Sequence, residues 1–130
     1  MIIYGHRFIK SEPFFHVLDI EGILHTPPSS IIFSEFSEDN LDIIEHLSTN
    51  GIVMALGVND IVELVYASSL GASFIVVSKE LASSAQEIAN NYLFDAKILV
   101  KVEEEEEIEE IALLGIDGVI FPNAIIKINS

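Results

Sequence analysis

The chain has 130 residues, half of them hydrophobic, a length typical of one domain with a buried core. It has no cysteine, which excludes disulfides, thiolate metal sites and cysteine nucleophiles. Its 21 acidic and 6 basic residues give a formal net charge of −15, which leaves too little basic surface to bind nucleic acid or an anionic membrane.

The first 30 residues contain two short apolar stretches, M-I-I-Y-G-H-R-F-I and F-F-H-V-L-D-I. They predict an N-terminal β arm, either as separate strands or as a hairpin, followed by a connector at Pro27 and Pro28. The first residues lack the basic-then-apolar order of a secretion signal. No apolar run approaches the roughly 18 residues of a membrane span. We therefore expect a soluble cytoplasmic protein.

From residue 31 onward, apolar stretches rich in β-formers alternate with helical ones. The predicted strands are Ile31–Phe36, Ile52–Val58, Phe74–Ser78, Ile98–Val102 and Gly118–Phe121. Their first residues are 20 to 24 positions apart, the length of a strand, a short loop and a three-turn helix, which is typical of parallel βαβ units. Because these strands are apolar at nearly every position, we expect helices to cover both faces of the sheet.

The predicted fold is a single α/β domain over residues 1–130, with the β arm in residues 1–30 and repeated βα units in 31–130. Its sheet is predicted to be mainly parallel and five-stranded with flanking helices. An open flavodoxin-like sheet and a half-barrel both fit this pattern.

Several polar residues are placed where helices begin. Ser37 is suited to cap the first predicted helix, and Asp60 followed by Glu63 approximates a capping box for the second. The second helix, Ile61–Leu70, carries a single charge. A helix apolar nearly all round is buried on more than one side, so we expect the N-terminal segment or a second subunit to cover it.

Seven of the eight residues from Glu103 to Glu110 are glutamates. Ile108, Ile111 and Ala112 follow helical spacing and predict one apolar face, which leaves the glutamates on the solvated side. The alternatives are an acidic docking surface for a basic partner and a metal site. Metal binding is disfavoured, because ligands must converge and these carboxylates are expected to point outward.

The stretch Gly51–Lys79 resembles the βα units of phosphate-binding (β/α)-barrel enzymes, including the Schiff-base sugar-acid aldolases. The residues that carry the resemblance are Gly57, Val58, Glu63, Ala67, Leu70, Gly71 and Ala72, and Ala112–Pro122 shows a second, shorter similarity. Val76 stands where these aldolases carry their lysine, and F-P-N-A stands where a phosphate loop is expected. The resemblance therefore implies a shared architecture.

Ligands of parallel α/β sheets bind beyond the carboxyl ends of the strands. The residues predicted at those ends, and hence the predicted ligand-binding set, are Glu35, Asn59, Asp60, Ser78, Lys79, Lys101 and Asn123. Helix capping is the alternative role for Asn59 and Asp60. Protection of an edge strand is the alternative for Lys101, which shares one strand face with Lys97 and Leu99.

No cofactor or metal is predicted. The chain has no Gly-x-Gly-x-x-Gly or Walker loop, and it lacks the aspartate and lysine that receiver domains carry after their third and fifth strands. The histidines of the arm, His6, His16 and His25, match no metal-ligand spacing with Asp19 and Glu21.

Two functions remain open at this point. The leading hypothesis is a non-catalytic α/β domain that acts by self-association or by binding a protein partner, as a homodimer or a higher oligomer. The alternative is a small-molecule-binding or lyase-like enzyme with its site at the carboxyl ends of the strands. The catalytic residues are not identified by the sequence.

Overall fold

The computed structural model describes residues 1–128, so the last two positions of the predicted domain, 1–130, lie outside the described range. The strands are β1 Ile2–Tyr4, β2 Phe14–His16, β3 Ile31–Glu35, β4 Met54–Gly57, β5 Phe74–Val77, β6 Lys97–Lys101, β7 Gly118–Ile120 and β8 Ile125–Lys127. The helices are α1 Ile20–Ile23, α2 Leu41–Thr49, α3 Ile61–Ser69, α4 Lys79–Asn91 and α5 Glu107–Leu113. Short 3₁₀ turns lie at Glu38–Asn40 and Pro122–Ala124.

The strands form one all-parallel sheet in the order β1-β7-β6-β5-β4-β3-β2-β8. The α/β class and the parallel arrangement are confirmed, and the five predicted strands correspond to β3 to β7. The prediction of five strands is wrong, because β1, β2 and β8 extend the sheet to eight. Nor do β1 and β2 form a hairpin, since β1 pairs with β7 while β2 pairs with β3 and β8.

The sheet is curled, because residues near its opposite edges meet. Tyr4 lies on the edge strand β1 and Phe14 on β2, beside the other edge, yet their ring centroids are 4.9 Å apart. Phe74, on the central strand β5, lies 5.6 Å from Tyr4 and 5.3 Å from Phe14. The architecture is therefore a curled parallel sheet with flanking helices, a half-barrel that resembles a β/α barrel.

Each face of the sheet has its own core. The concave interior is filled by apolar residues from all eight strands and the 3₁₀ turn before β8: Tyr4, Phe14, Ile31, Phe33, Ala55, Phe74, Val76, Leu99, Ile120, Ala124 and Ile125. The larger core lies between the convex face and the helices, where Ile43, Leu64, Ala85 and Ile111 are buried. Continuous apolarity of the central strands is explained by this coverage on both faces.

The helix caps follow the sequence signals. Ser37 Oγ accepts a hydrogen bond from the Asp39 N–H at 3.2 Å, and Asp60 Oδ1 accepts one from the Glu63 N–H at 2.8 Å. In return, Glu63 Oε1 accepts from the Asn59 N–H at 2.8 Å. No helix within residues 1–128 combines the length and apolarity that crossing a bilayer requires.

Candidate functional site

The polar residues at one end of the interior follow from strand alternation. Side chains two positions apart on a strand lie on the same face of the sheet. The residue two positions after an interior apolar residue therefore also faces the interior, closer to the carboxyl end of the strand. On four strands, that next residue is polar: His16 after Phe14, Glu35 after Phe33, Lys101 after Leu99 and Lys127 after Ile125. The interior is thus apolar in its depth and polar at its carboxyl end.

These residues line a cleft of about 690 Å³, here called the carboxyl-end cleft. Its walls include His16, Glu35, Ser78, Lys79, Lys101 and Lys127, and its base includes Phe33 and Ile120. Small-molecule sites commonly have volumes of about 300–1,000 Å³ with a few convergent polar groups. The cleft has both properties.

Four of the seven predicted ligand-binding residues, Glu35, Ser78, Lys79 and Lys101, meet in this cleft. The other three, Asn59, Asp60 and Asn123, are not among its lining residues. Asp60 caps α3, and the Asn59 backbone is bound by Glu63. Asn123 is exposed in the 3₁₀ turn before β8.

Lys101 lies at the end of β6, which is paired with β5 on one side and β7 on the other. Protection of an edge strand is therefore the wrong interpretation of this lysine. Neither Lys101 nor Lys127 forms an ion pair in the described part of the chain, so both ammonium groups face the cleft without a carboxylate partner. Lys79 differs, because its Nζ lies 3.3 Å from Glu107 Oε1 and 3.8 Å from Glu110 Oε2.

His16 is half-buried and lines the cleft together with the charged residues Glu35, Lys101 and Lys127. Burial lowers the pKa of His16 below its usual range; the charge of Glu35 acts in the opposite direction, while Lys127 and Lys101 lower the pKa further. Its ring packs edge-on against Phe33, with centroids 4.9 Å apart. The imidazole is therefore neutral near pH 7, and it offers one donor and one acceptor nitrogen.

Glu35 occupies space that a glycine leaves free. A Cβ at Gly57, the last residue of the neighbouring strand β4, would clash with Glu35 Oε2 and lie 3.0 Å from its Cδ. The Glu35 side chain accepts no hydrogen bond from residues 1–128, and no ion pair forms there either. Gly57 therefore allows the carboxylate to lie over β4 at the mouth of the interior.

Three members of the glutamate run, Glu103, Glu104 and Glu107, line the outer rim of the cleft. Glu107 Oε2 accepts hydrogen bonds from the N–H groups of Glu103 and Glu104, at 2.7 and 2.9 Å, which lowers its pKa together with the contact to Lys79. Glu105 binds His6 Nε2 at 2.6 Å and also binds Arg7. The hydrogen bond from His6 is the largest cause of the lowered pKa of Glu105.

Of the four polar residues at the mouth of the interior, His16 and Lys127 were not predicted. Each follows an interior apolar residue at spacing two, which is the signal that could have identified them. Both belong to three-residue strands whose partners are distant in sequence, so their faces could not be assigned without the strand order.

No protein-family model matches the sequence, and neither does any curated protein. Val76, at the position of the aldolase lysine, is fully buried in the concave core. The function must therefore be inferred from the geometry of the cleft itself.

Proposed function

We propose that the protein binds a small organic molecule in the carboxyl-end cleft. The observation that carries this proposal is the convergence of His16, Glu35, Lys101 and Lys127 at the mouth of an otherwise apolar interior. Three of the six basic residues of a chain with net charge −15 line this one cleft. Two of them, Lys101 and Lys127, have no acidic partner within residues 1–128, so their ammonium groups are available to a ligand.

Proton transfer is the chemistry that the cleft offers beyond binding. A neutral imidazole is the form of histidine that acts as a general base, and Glu35 and the two lysines stabilise charges that develop on a bound molecule. A Schiff base at position 76 is excluded, because valine has no amine. Lyase-like turnover would therefore depend on His16 as the acid or base.

The test is a thermal-shift screen of a metabolite library against the protein, with two lysine variants for comparison. A ligand of the cleft should raise the melting temperature of the parent protein and lose most of this effect in Lys101→Gln. Lys97→Gln is the matched control, because Lys97 is exposed on the same strand and face but at the opposite end. Hits that are equally weakened by both changes would contradict the proposal.

Self-association through α3 is the second candidate function. Val62, Val65 and Tyr66 are 58%, 41% and 54% exposed and follow helical spacing, so they form one apolar stripe. The N-terminal segment does not cover this stripe, since β1 and β2 join the sheet and α1 packs against α2. The exposed stripe supports the other cover expected from the sequence, a second copy of the chain.

Light scattering coupled to size exclusion tests this second proposal. We expect the mass of two chains at tens of micromolar protein, and the mass of one chain for Val65→Glu. Leu93→Glu is the control, because Leu93 is 85% exposed at the end of α4, outside the stripe. A parent protein that elutes with the mass of one chain would refute self-association.

A further inference from the structure

We propose that the ligand of the carboxyl-end cleft is a dicarboxylic amino acid: a compact molecule with two carboxylates and one ammonium group. Its carboxylates would pair with Lys101 and Lys127, and its ammonium with Glu35. This inference rests on the proposed function and adds the chemical class of the ligand.

The pattern of unpaired charges is the first step. Within residues 1–128, Lys101 and Lys127 have no ion-pair partner, and Glu35 has neither an ion pair nor a side-chain hydrogen bond. All three line the same cleft as His16 and lie close enough for their charges to act on its imidazole. An ammonium group only donates and a carboxylate only accepts, so none of the three can be satisfied by an uncharged hydrocarbon ligand.

The signs of these charges select the ligand. At the mouth of the interior, beside His16, the unpaired charges are two positive groups and one negative group, and a dicarboxylic amino acid presents the inverse set. Charge-assisted pairs are stronger than hydrogen bonds between neutral groups, so a ligand that matches all three gains from each of these contacts. The neutral His16 is then free to bond a carboxylate oxygen through its N–H.

The rim of the cleft disfavours ligands with more negative charge. Glu80, Glu103 and Glu104 line the entrance, and the whole chain carries −15. A dicarboxylic amino acid has a net charge of −1, so it meets less repulsion on entry than a dicarboxylate without the ammonium group or an inorganic phosphate. The ammonium group thus serves both the pairing with Glu35 and passage through the rim.

The experiment is an NMR titration of isotope-labelled protein at fixed ionic strength with four matched probes. L-glutamate has all three charges, glutarate lacks the ammonium, L-glutamine lacks one carboxylate, and 4-aminobutyrate lacks the other. We expect L-glutamate or its shorter homologue L-aspartate to bind at least about tenfold more tightly than each probe that lacks one group, since each missing group removes one charged hydrogen bond. Equal binding by glutarate or L-glutamine would overturn the inference.

Variants assign each contact. Lys101→Gln and Lys127→Gln should each weaken L-glutamate binding about tenfold or more, whereas Lys97→Gln should leave it unchanged. Glu35→Gln should weaken L-glutamate but not glutarate, because only the amino acid carries the group that Glu35 binds. If Glu35→Gln weakened both ligands equally, the assignment of the ammonium group would be wrong.

The result also separates this inference from the proposed function. If neither amino acid shifts the cleft resonances but another library metabolite does, the ligand class is wrong and the binding function stands. If no library metabolite shifts them, both are wrong.

Discussion

Replacing Gly118 with alanine should weaken the attachment of β1 to the sheet. A Cβ at this position in β7 would lie 2.5 Å from the Ile2 carbonyl oxygen, 2.8 Å from Leu99 Cδ2 and 3.0 Å from Ile2 Cβ. The carbonyl belongs to the backbone of β1, which pairs with β7 in register Ile2 to Gly118. Since a backbone oxygen cannot rotate away, β1 itself must shift.

Gly57→Ala is the matched comparison, because it makes the same change in another strand of the same face. Its new Cβ would meet the movable carboxylate of Glu35 and would lie 3.1 Å from Phe33 Cζ. Here a side-chain rotation relieves the main clash, so the fold should be kept while Glu35 leaves its position over β4.

The expected changes in the free energy of unfolding differ in size. Alanine in a strand is more favourable than glycine by about 0.5–1 kcal/mol, and overpacking a core costs about 1–3 kcal/mol. For Gly118→Ala the overpacking dominates, and the free energy of unfolding should fall by about 1–2 kcal/mol. For Gly57→Ala the two effects nearly cancel, leaving a change within about 0.5 kcal/mol.

Urea unfolding followed by circular dichroism measures both variants. In Gly118→Ala, the Ile2 N–H, which donates to the Asp117 carbonyl at 2.9 Å, should also exchange faster with solvent. The packing described for β1 would be refuted by a Gly118→Ala protein as stable as Gly57→Ala, with unchanged exchange at Ile2.

Three further predictions concern single side chains. Asp60→Ala should lower the free energy of unfolding by about 0.5–2 kcal/mol in urea titrations and Asp60→Asn by much less, because the amide oxygen can still cap α3; equal losses would contradict the capping role. Glu106→Gln should slightly raise the melting temperature at low salt, with a smaller gain at high salt, whereas Glu105→Gln should lower it by removing two contacts; the reverse order would refute the assignment of partners. Because burial lowers the pKa of His16, the unfolded chain binds more protons below about pH 6.5, and stability falls as the pH drops. In melting curves recorded between pH 7 and 5, His16→Gln should lessen this loss of stability, whereas His25→Gln should not. Identical curves for His16→Gln and the parent protein would contradict the role of His16 in the pH dependence.

The central strands could be predicted because each carries its own signal. The segment I-V-M-A-L-G combines continuous apolarity with β-branched residues. Other apolar segments of this kind recur at intervals long enough for one helix between successive strands. The position of Lys101 at a strand end followed from the same pattern. The curvature of the sheet did not, because the ring contacts of Tyr4 with Phe14 and Phe74 join residues far apart in the chain.

The places of β1, β2 and β8 in the sheet could not be predicted from the sequence, for a physical reason. Ile2–Tyr4, Phe14–His16 and Ile125–Lys127 have three residues each, too few to show a period. Their stability comes from pairing with distant strands rather than from local propensity, so composition alone does not specify them. His16 and Lys127 stand on two of these strands, which is why half of the polar group at the cleft was missed.

Binding of a small molecule in the carboxyl-end cleft is tested most directly by mapping ligand binding onto the backbone amides by NMR. We expect a bound metabolite to shift the resonances of His16, Glu35, Lys101 and Lys127, and these shifts should saturate together. Shifts confined to other surfaces, such as the stripe of α3, or no saturable shifts at any of these four residues, would contradict it.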